Sequence, residues 1–359
     1  MLWALSALVH ALATTAPPKA PRATLEELYH AETAAAAERR VQADATQGRL
    51  SALGAARDLW PLPPRLKPHD IPVITLDHTL TADALESLLT HQCCAVHVRG
   101  FVDGETCEQI TNRLSSSSSD DAFSNWNIHQ AKSSTTFTAT EVDKVGVTSG
   151  EALESFPKFR EYLEPTSPNA VESLLPGDLN PFTLLRGALD TLHPQGCRLN
   201  QLNGWPMPAG TFRRMYTSNG LIHADTATLL AREAGEFSAN LYISTPPGRG
   251  ALSVYPAQQY AAEAPDAGDG VGVPLTSPAL LADLQSLARR QAAGFDTEAQ
   301  EALRSALPLQ HTIDVSDGDL VLINTGRFHR VEPYSEPAFR LSGQCWLSYR
   351  RGKALRMWV

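Results

Sequence analysis

The stretch from Ala338 to Ser348 reads as a β-strand and as little else. With a period of two, Phe339, Leu341, Cys345 and Leu347 fall on one face, and Arg340, Ser342, Gln344 and Trp346 share the other. The apolar face has to be covered by another layer. The opposite face holds an arginine, and a buried guanidinium without an anion is costly, so that face has to meet partners. The sequence upstream keeps the same character back to about Thr211, including the apolar run Leu320-Val321-Leu322-Ile323. The N-terminal half reads differently. Thr81 caps a helical pattern over Ala82 to Leu89, Cys94 to Arg99 is an apolar strand, Cys107, Ile110 and Leu114 lie at helical spacing, and Asn180 to Leu192 is again helical. A helix-rich half followed by a strand-rich half predicts an α+β fold, with helices packed outside an antiparallel barrel.

At 359 residues with 43% hydrophobic composition, the chain is long enough for one large core with appendages. The net charge of −9 argues against nucleic acid or an anionic membrane surface as a partner. The five cysteines, two of them adjacent, are odd in number and lack metal-finger spacing, which speaks for buried thiols rather than a disulfide framework.

Residues 1–23 open with an apolar run from Met1 to Ala13 and resemble a secretory or organelle-targeting segment. A plain disordered or helical N-terminus is the alternative, because the usual positive charge is missing. The run is short for a membrane span, so a soluble mature chain with no stable membrane insertion is expected. Residues 24–70 read as a helical extension ending in the Pro-rich linker Trp60-Pro61-Leu62-Pro63-Pro64, and residues 71–359 as the main domain. Within that domain, residues 261–307 interrupt the strands with a helical insertion. The serine run Ser115 to Ser119 reads as a solvated loop.

His223 and Asp225 stand two residues apart, so a strand would project both from one face toward a single metal. His329 follows the apolar run at Leu320 to Ile323 and offers a third ligand from a second strand. Two histidines and one carboxylate leave about three positions open on an octahedral ion, the facial arrangement suited to non-haem iron(II) and dioxygen. On the strand after His329, the planar fork of Arg340 suits a carboxylate and Ser342 can add a hydrogen bond.

The order His223-Ala224-Asp225, His329, Arg340-Leu341-Ser342 resembles the iron(II)- and 2-oxoglutarate-dependent dioxygenases. Arg214-Met215-Tyr216 with Gly220, Gly250 to Pro256, and Gly318 to Asn324 resemble further segments of that family. The resemblance runs from about Ile71 to Tyr349. It implies a double-stranded β-helix, or jelly-roll, core with flanking N-terminal helices and the helical insertion. It also implies Fe(II) on His223, Asp225 and His329, the distal carboxylate of 2-oxoglutarate on Arg340 and Ser342 with Tyr216 as a further contact, and dioxygen as oxidant. The carboxylate at Asp225 resembles the hydroxylating members rather than the halogenating ones.

The activity so implied is oxidation of a C-H bond, foremost hydroxylation, in a small-molecule or amino-acid-like substrate, with 2-oxoglutarate converted to succinate. Desaturation, cyclisation and demethylation use the same groups and stay open. A jelly-roll protein that binds metal or ligand without turnover is the alternative outside enzymes. Asn240, Tyr242 and Ser244 share one strand face and are candidates to line the pocket. Trp346 is a candidate wall, and Arg213, Arg214 and Arg327 are candidates to meet an acidic substrate.

Overall fold

A computed structural model describes residues 23–38, 71–115, 123–125, 142–164, 171–218, 220–223, 237–258, 304, 307 and 310–359. The expected targeting segment, the Pro-rich linker, the serine loop beyond Ser115, Asp225, and the helical insertion apart from Arg304 and Leu307 lie outside these residues. In chain order the strands are β1 (Val73–Asp77), β2 (Ala95–Arg99), β3 (Phe123–Asn125), β4 (Val142–Val145), β5 (Cys197–Leu199), β6 (Gln201–Leu202), β7 (Trp205–Pro206), β8 (Thr211–Ser218), β9 (Phe237–Ser244), β10 (Leu252–Gln258), β11 (His311–Ile313), β12 (Leu320–Asn324), β13 (Arg327–Val331), β14 (Tyr334–Ser348) and β15 (Leu355–Trp358). The longer helices are α1 (25–38), α2 (Ala82–Leu89), α3 (Gly104–Leu114), α4 (Phe156–Leu163) and α5 (Pro181–Leu192). None of the described helices is long and apolar enough to cross a membrane.

The large sheet runs β1-β2-β12-β9-β14-β8-β4-β3, and a separate small sheet runs β11-β10-β13. One core packs α2, α3 and α5 onto the large sheet through Leu85, Leu88, Ile110, Leu185 and Leu189 against Val96, Leu241, Leu322 and Leu341. A second core, with Tyr242, Val321 and Ile323 from the large sheet and Leu252, Val254 and Ile313 from the small one, fills the space between the sheets. The layers are therefore helices, large sheet, small sheet. Strand β12 is buried at every position because it has a layer on each side, which is why its sequence is continuously apolar rather than alternating. By contrast β14 alternates, since one of its faces meets the helices and the other a cavity.

Where the sequence predicts antiparallel strands, the large sheet also contains two parallel pairs, β1 with β2 and β5 with β15. The first follows from its connection: α2 supplies the crossover that parallel neighbours require. Thr81 starts that helix by accepting from the Ala84 N–H, and Asn180 starts α5 by accepting from Phe182. Helix α1 does not stand apart as an extension. Its Leu28 joins Phe159, Tyr162, Leu163, Trp358 and Val359 in a third core, with Trp346 packed against it, and the Tyr162 hydroxyl donates to the Val359 carbonyl.

Two loops that hold the large sheet together meet at Gly318 and Asp319. Gly318 adopts φ +86° and donates to the Tyr242 carbonyl at 2.7 Å, while Val102 donates to the Gly318 carbonyl at 2.9 Å. A Cβ there would stand 2.2 Å from the Val102 carbonyl oxygen. Gly318→Ala should therefore cost about 2 kcal/mol, combining an unfavourable left-handed backbone with that clash. Urea unfolding would show it as a lower midpoint at unchanged slope, and an unshifted midpoint would refute the argument.

Candidate functional site

His223 lies just beyond β8 and forms an isolated antiparallel bridge with His329 of β13. The two residues exchange both backbone bonds, His223 N–H to His329 O at 3.0 Å and the reverse at 2.8 Å. Directly opposed residues project to the same side, and the ring centroids stand 4.4 Å apart. Each ring is oriented by its own chain: Nδ1 of His223 lies 2.9 Å from the Leu221 carbonyl oxygen and Nδ1 of His329 lies 2.9 Å from that of Arg327. A carbonyl can only accept, so each Nδ1 carries the hydrogen and each Nε2 presents its lone pair. This is the tautomer a metal-ligating histidine needs, set by backbone geometry. Asp225, two positions past His223, lies outside the described residues, and among the described residues no group of three metal-ligating side chains assembles.

The pair faces a cavity of about 790 Å³, open mouth included, between the two sheets. Its floor is the large sheet and can be read as successive rows of register partners. Arg340 sits beside Met215; Ser342 is flanked by Arg213 and Tyr242; Gln344 is flanked by Thr211 and Asn240. Arg340 is 4% exposed, with Nη1 donating to the Gly250 carbonyl at 3.0 Å and Nη2 to the Met215 sulfur at 3.5 Å. Its Nε is buried without a hydrogen-bond partner. The guanidinium carbon also lies 5.3 Å from the Tyr242 ring centroid, a cation–π distance. Gly250, at φ +67°, permits this seat, since a Cβ would come within 3.3 Å of Arg340 Cδ and Nη1. No acidic residue appears among the described residues lining the cavity.

No protein-family model matches the chain, and no curated protein matches it in sequence. Solved structures do match. An N-substituted L-amino acid dioxygenase from Burkholderia ambifaria shares 14% identity over 77% of this chain and 91% of that one, with a TM-score of 0.47. A prolyl-4-hydroxylase from Pseudomonas putida shares 13% identity over 76% of this chain and 100% of that one, with a TM-score of 0.37. HygX from Streptomyces hygroscopicus, with nickel and 2-oxoglutarate bound, shares 15% identity over 74% of this chain and 86% of that one, with a TM-score of 0.34. With TM-scores below 0.5, none of these similarities bears on what the present site does.

Of the residues singled out in the sequence, the structure brings His223, His329, Arg340, Ser342, Asn240, Tyr242, Gln344 and Arg213 to one cavity. Tyr216 is not among them, which corrects the expectation that it reaches the co-substrate. Strand parity places it opposite Met215, on the other face of β8, where its hydroxyl donates to Asp143 at 3.0 Å and its ring packs edge-on to Phe339. Burial and the hydrogen bond to Asp143 together raise its pKa. Arg214 is on that side too, its guanidinium over the Phe123 ring at 3.6 Å and donating to the Leu114 carbonyl, so it does not face substrate. Arg327 is fully buried and donates to the Pro256 carbonyl. Trp346 leaves the cavity for the third core, under α1, and Ser244 does not line the cavity.

Two contributors escaped the sequence reading. Met215 accepts from Arg340, and Tyr334 packs beside Gly250 and donates its hydroxyl to the Met215 carbonyl at 2.8 Å. Met215 could have been found by stepping two positions from Arg213 along one strand face. Tyr334 could not, because it reaches Met215 through pairing across β14 and β8.

Proposed function

We propose that this chain is an iron(II)- and 2-oxoglutarate-dependent oxygenase with a double-stranded β-helix core, hydroxylating a C-H bond of a small-molecule or amino-acid-like substrate. The observation that supports it most is a buried Arg340 with an unpartnered Nε in the same cavity as two histidines whose Nδ1 atoms are committed to carbonyls. Both features fit an iron(II) ion and a dicarboxylate co-substrate. The Nε2 atoms of His223 and His329, with the Asp225 carboxylate, would hold Fe(II), an N/N/O donor set suited to that ion. Arg340 and Ser342 would take the distal carboxylate of 2-oxoglutarate, supplying the anion that the buried guanidinium requires. The chemistry supplied by the bound iron and co-substrate is the use of dioxygen to oxidise a C-H bond as 2-oxoglutarate becomes succinate and carbon dioxide.

The chain's own residues orient and shield. The Leu221 and Arg327 carbonyls hold each imidazole in its ligating tautomer. Gly250 and Met215 fix two arms of Arg340, which limits the freedom lost on binding. Leu221, Leu252, Ile323 and Val331 line the remaining wall with apolar surface that excludes water.

The test is Fe(II)-dependent formation of succinate from 2-oxoglutarate by the purified chain. Metal-loaded protein that neither binds 2-oxoglutarate nor forms succinate would overturn the proposal. Arg340→Ala should raise the 2-oxoglutarate KM about 100-fold, the loss of a charge-assisted pair of roughly 3 kcal/mol, with a smaller change in kcat at saturating co-substrate. An unchanged KM would move the anchor elsewhere.

A further inference from the structure

Arg327 carries a charge that its described surroundings do not answer. It is fully buried and lies outside the cavity lining. Its Nη1 donates to the Pro256 carbonyl, while Nε and Nη2 are buried without partners. The acids whose charge could reach it are the thiols of Cys93 and Cys94. Cys94 donates its thiol hydrogen to the Pro72 carbonyl at 3.5 Å, and burial pushes the Cys93 thiol up to about 12. His91 is neutral at pH 7 as well, since burial and then Arg327 itself lower its pKa to about 4. A guanidinium stays protonated in a protein, so a full positive charge is held here at a cost in stability. Such a departure from a well-paired interior is expected where function draws on it.

The position of Arg327 indicates what that function is. Arg327 and His329 stand two apart on β13, so they project from one face, and the Arg327 carbonyl is the acceptor that orients the His329 ring. Across the pair with β10, His329 stands opposite Val254 and Arg327 opposite Gln258, with Pro256 between those two partners. The bond to Pro256 therefore turns the guanidinium back toward His329. Two residues of strand span about 7 Å, which puts the charge roughly 10 Å from a metal on His329 Nε2. At that distance, with an effective dielectric near 20, a unit charge biases a one-charge difference by about 15-fold.

We infer that Arg327, through its fixed charge, keeps the resting metal as Fe(II). Unproductive oxidation transfers one electron from Fe(II) to dioxygen, giving Fe(III) and superoxide, and so adds a positive charge beside a cation that cannot move away. Arg327 opposes that step while touching neither metal nor substrate. This rests on the reading of the centre given above, since it needs iron on His329.

The experiment is an anaerobic redox titration of the full chain, loaded with iron and without 2-oxoglutarate, followed by the paramagnetic resonance of Fe(III). Arg327→Met and Arg327→Gln, the second still able to donate to Pro256, should each shift the balance toward Fe(III) by at least about 10-fold, a midpoint about 59 mV lower for one electron. Val254→Ala opens space opposite His329 without changing charge, and should leave the balance within about 3-fold of the parent. Both Arg327 variants should stay folded by circular dichroism, because they remove an unpaired buried charge. A midpoint that does not fall in either folded variant, or an equal fall in Val254→Ala, overturns the inference while the centre stands. So does unfolding of both Arg327 variants, since the arginine would then be a structural tie. A parent chain that binds no Fe(II) overturns the centre and the inference with it.

Discussion

Replacing His329 by alanine should abolish Fe(II)-dependent succinate formation and lower metal affinity by more than about 100-fold, while the fold persists. The first expectation follows from donor count, because one histidine and one carboxylate retain Fe(II) poorly, and removal of groups that merely orient a ligand already costs about 10- to 100-fold. The second follows from the bridge itself. His223 and His329 are joined through backbone N–H and carbonyl groups, at 3.0 and 2.8 Å, that alanine keeps. His223→Ala should behave alike, and so should Asp225→Ala. Metal content and succinate measured on purified protein, with circular dichroism as the control for folding, decide the matter. A folded His329→Ala protein with undiminished turnover would remove the histidine pair from the centre.

The second large effect lies away from the cavity. Asp319 is 3% exposed and accepts from His97 Nε2 at 2.8 Å, the Gly100 N–H at 2.9 Å and the Ser316 N–H at 2.9 Å. It joins the start of β12 to β2, two strands of the large sheet, and its backbone carbonyl accepts from Tyr242 at 2.8 Å. Asp319→Ala leaves a buried imidazole and two backbone donors without partners, so unfolding free energy should fall by about 3–5 kcal/mol. Burial alone would raise the Asp319 pKa, but the bonds from His97, Gly100 and Ser316 outweigh it and hold the carboxyl below its ordinary range. A carboxyl with a depressed folded-state pKa contributes fully above its unfolded value near 3.9, and that contribution is lost as pH falls through the folded-state value. Asp319→Asn should therefore flatten the loss of stability below about pH 4 relative to the parent chain. Denaturant midpoints at pH 7 and pH 3 test this, and equal acid-side losses in both proteins would show that another group governs it.

Both predictions depend on features with different visibility in the sequence. The strand at β14 was legible because its two faces differ in kind, with Leu341, Cys345 and Leu347 in the helix-side core and Arg340, Ser342 and Gln344 on the cavity. Helix α2 was legible from Thr81, since an N-cap is a local signal, and α5 from the helical pattern of Asn180 to Leu192, whose first residue the structure makes the cap. Strand β8 was not legible in the same way. In Thr211-Phe212-Arg213-Arg214-Met215-Tyr216 each face carries both an apolar residue and an arginine, so the pattern does not say which face turns inward. A shift of one residue exchanges every side chain between faces, and here only the pairing with β14 settles it, sending Arg213 and Met215 to the cavity and Tyr216 to Asp143.

By itself, then, the amino-acid sequence determined the elements whose signals are local: the capped helices, the alternating strand, and the order in which a histidine, a second histidine and an arginine arrive on strands. Tertiary structure alone decided which of those side chains meet. His97 and Asp319 pair across 222 positions. Trp346 shares a strand face with Arg340 yet is claimed by a core built around α1 and the C-terminal residues. The physical reason is that backbone periodicity sets only the direction of a side chain relative to its neighbours, whereas what lies in that direction depends on which distant segment is packed there.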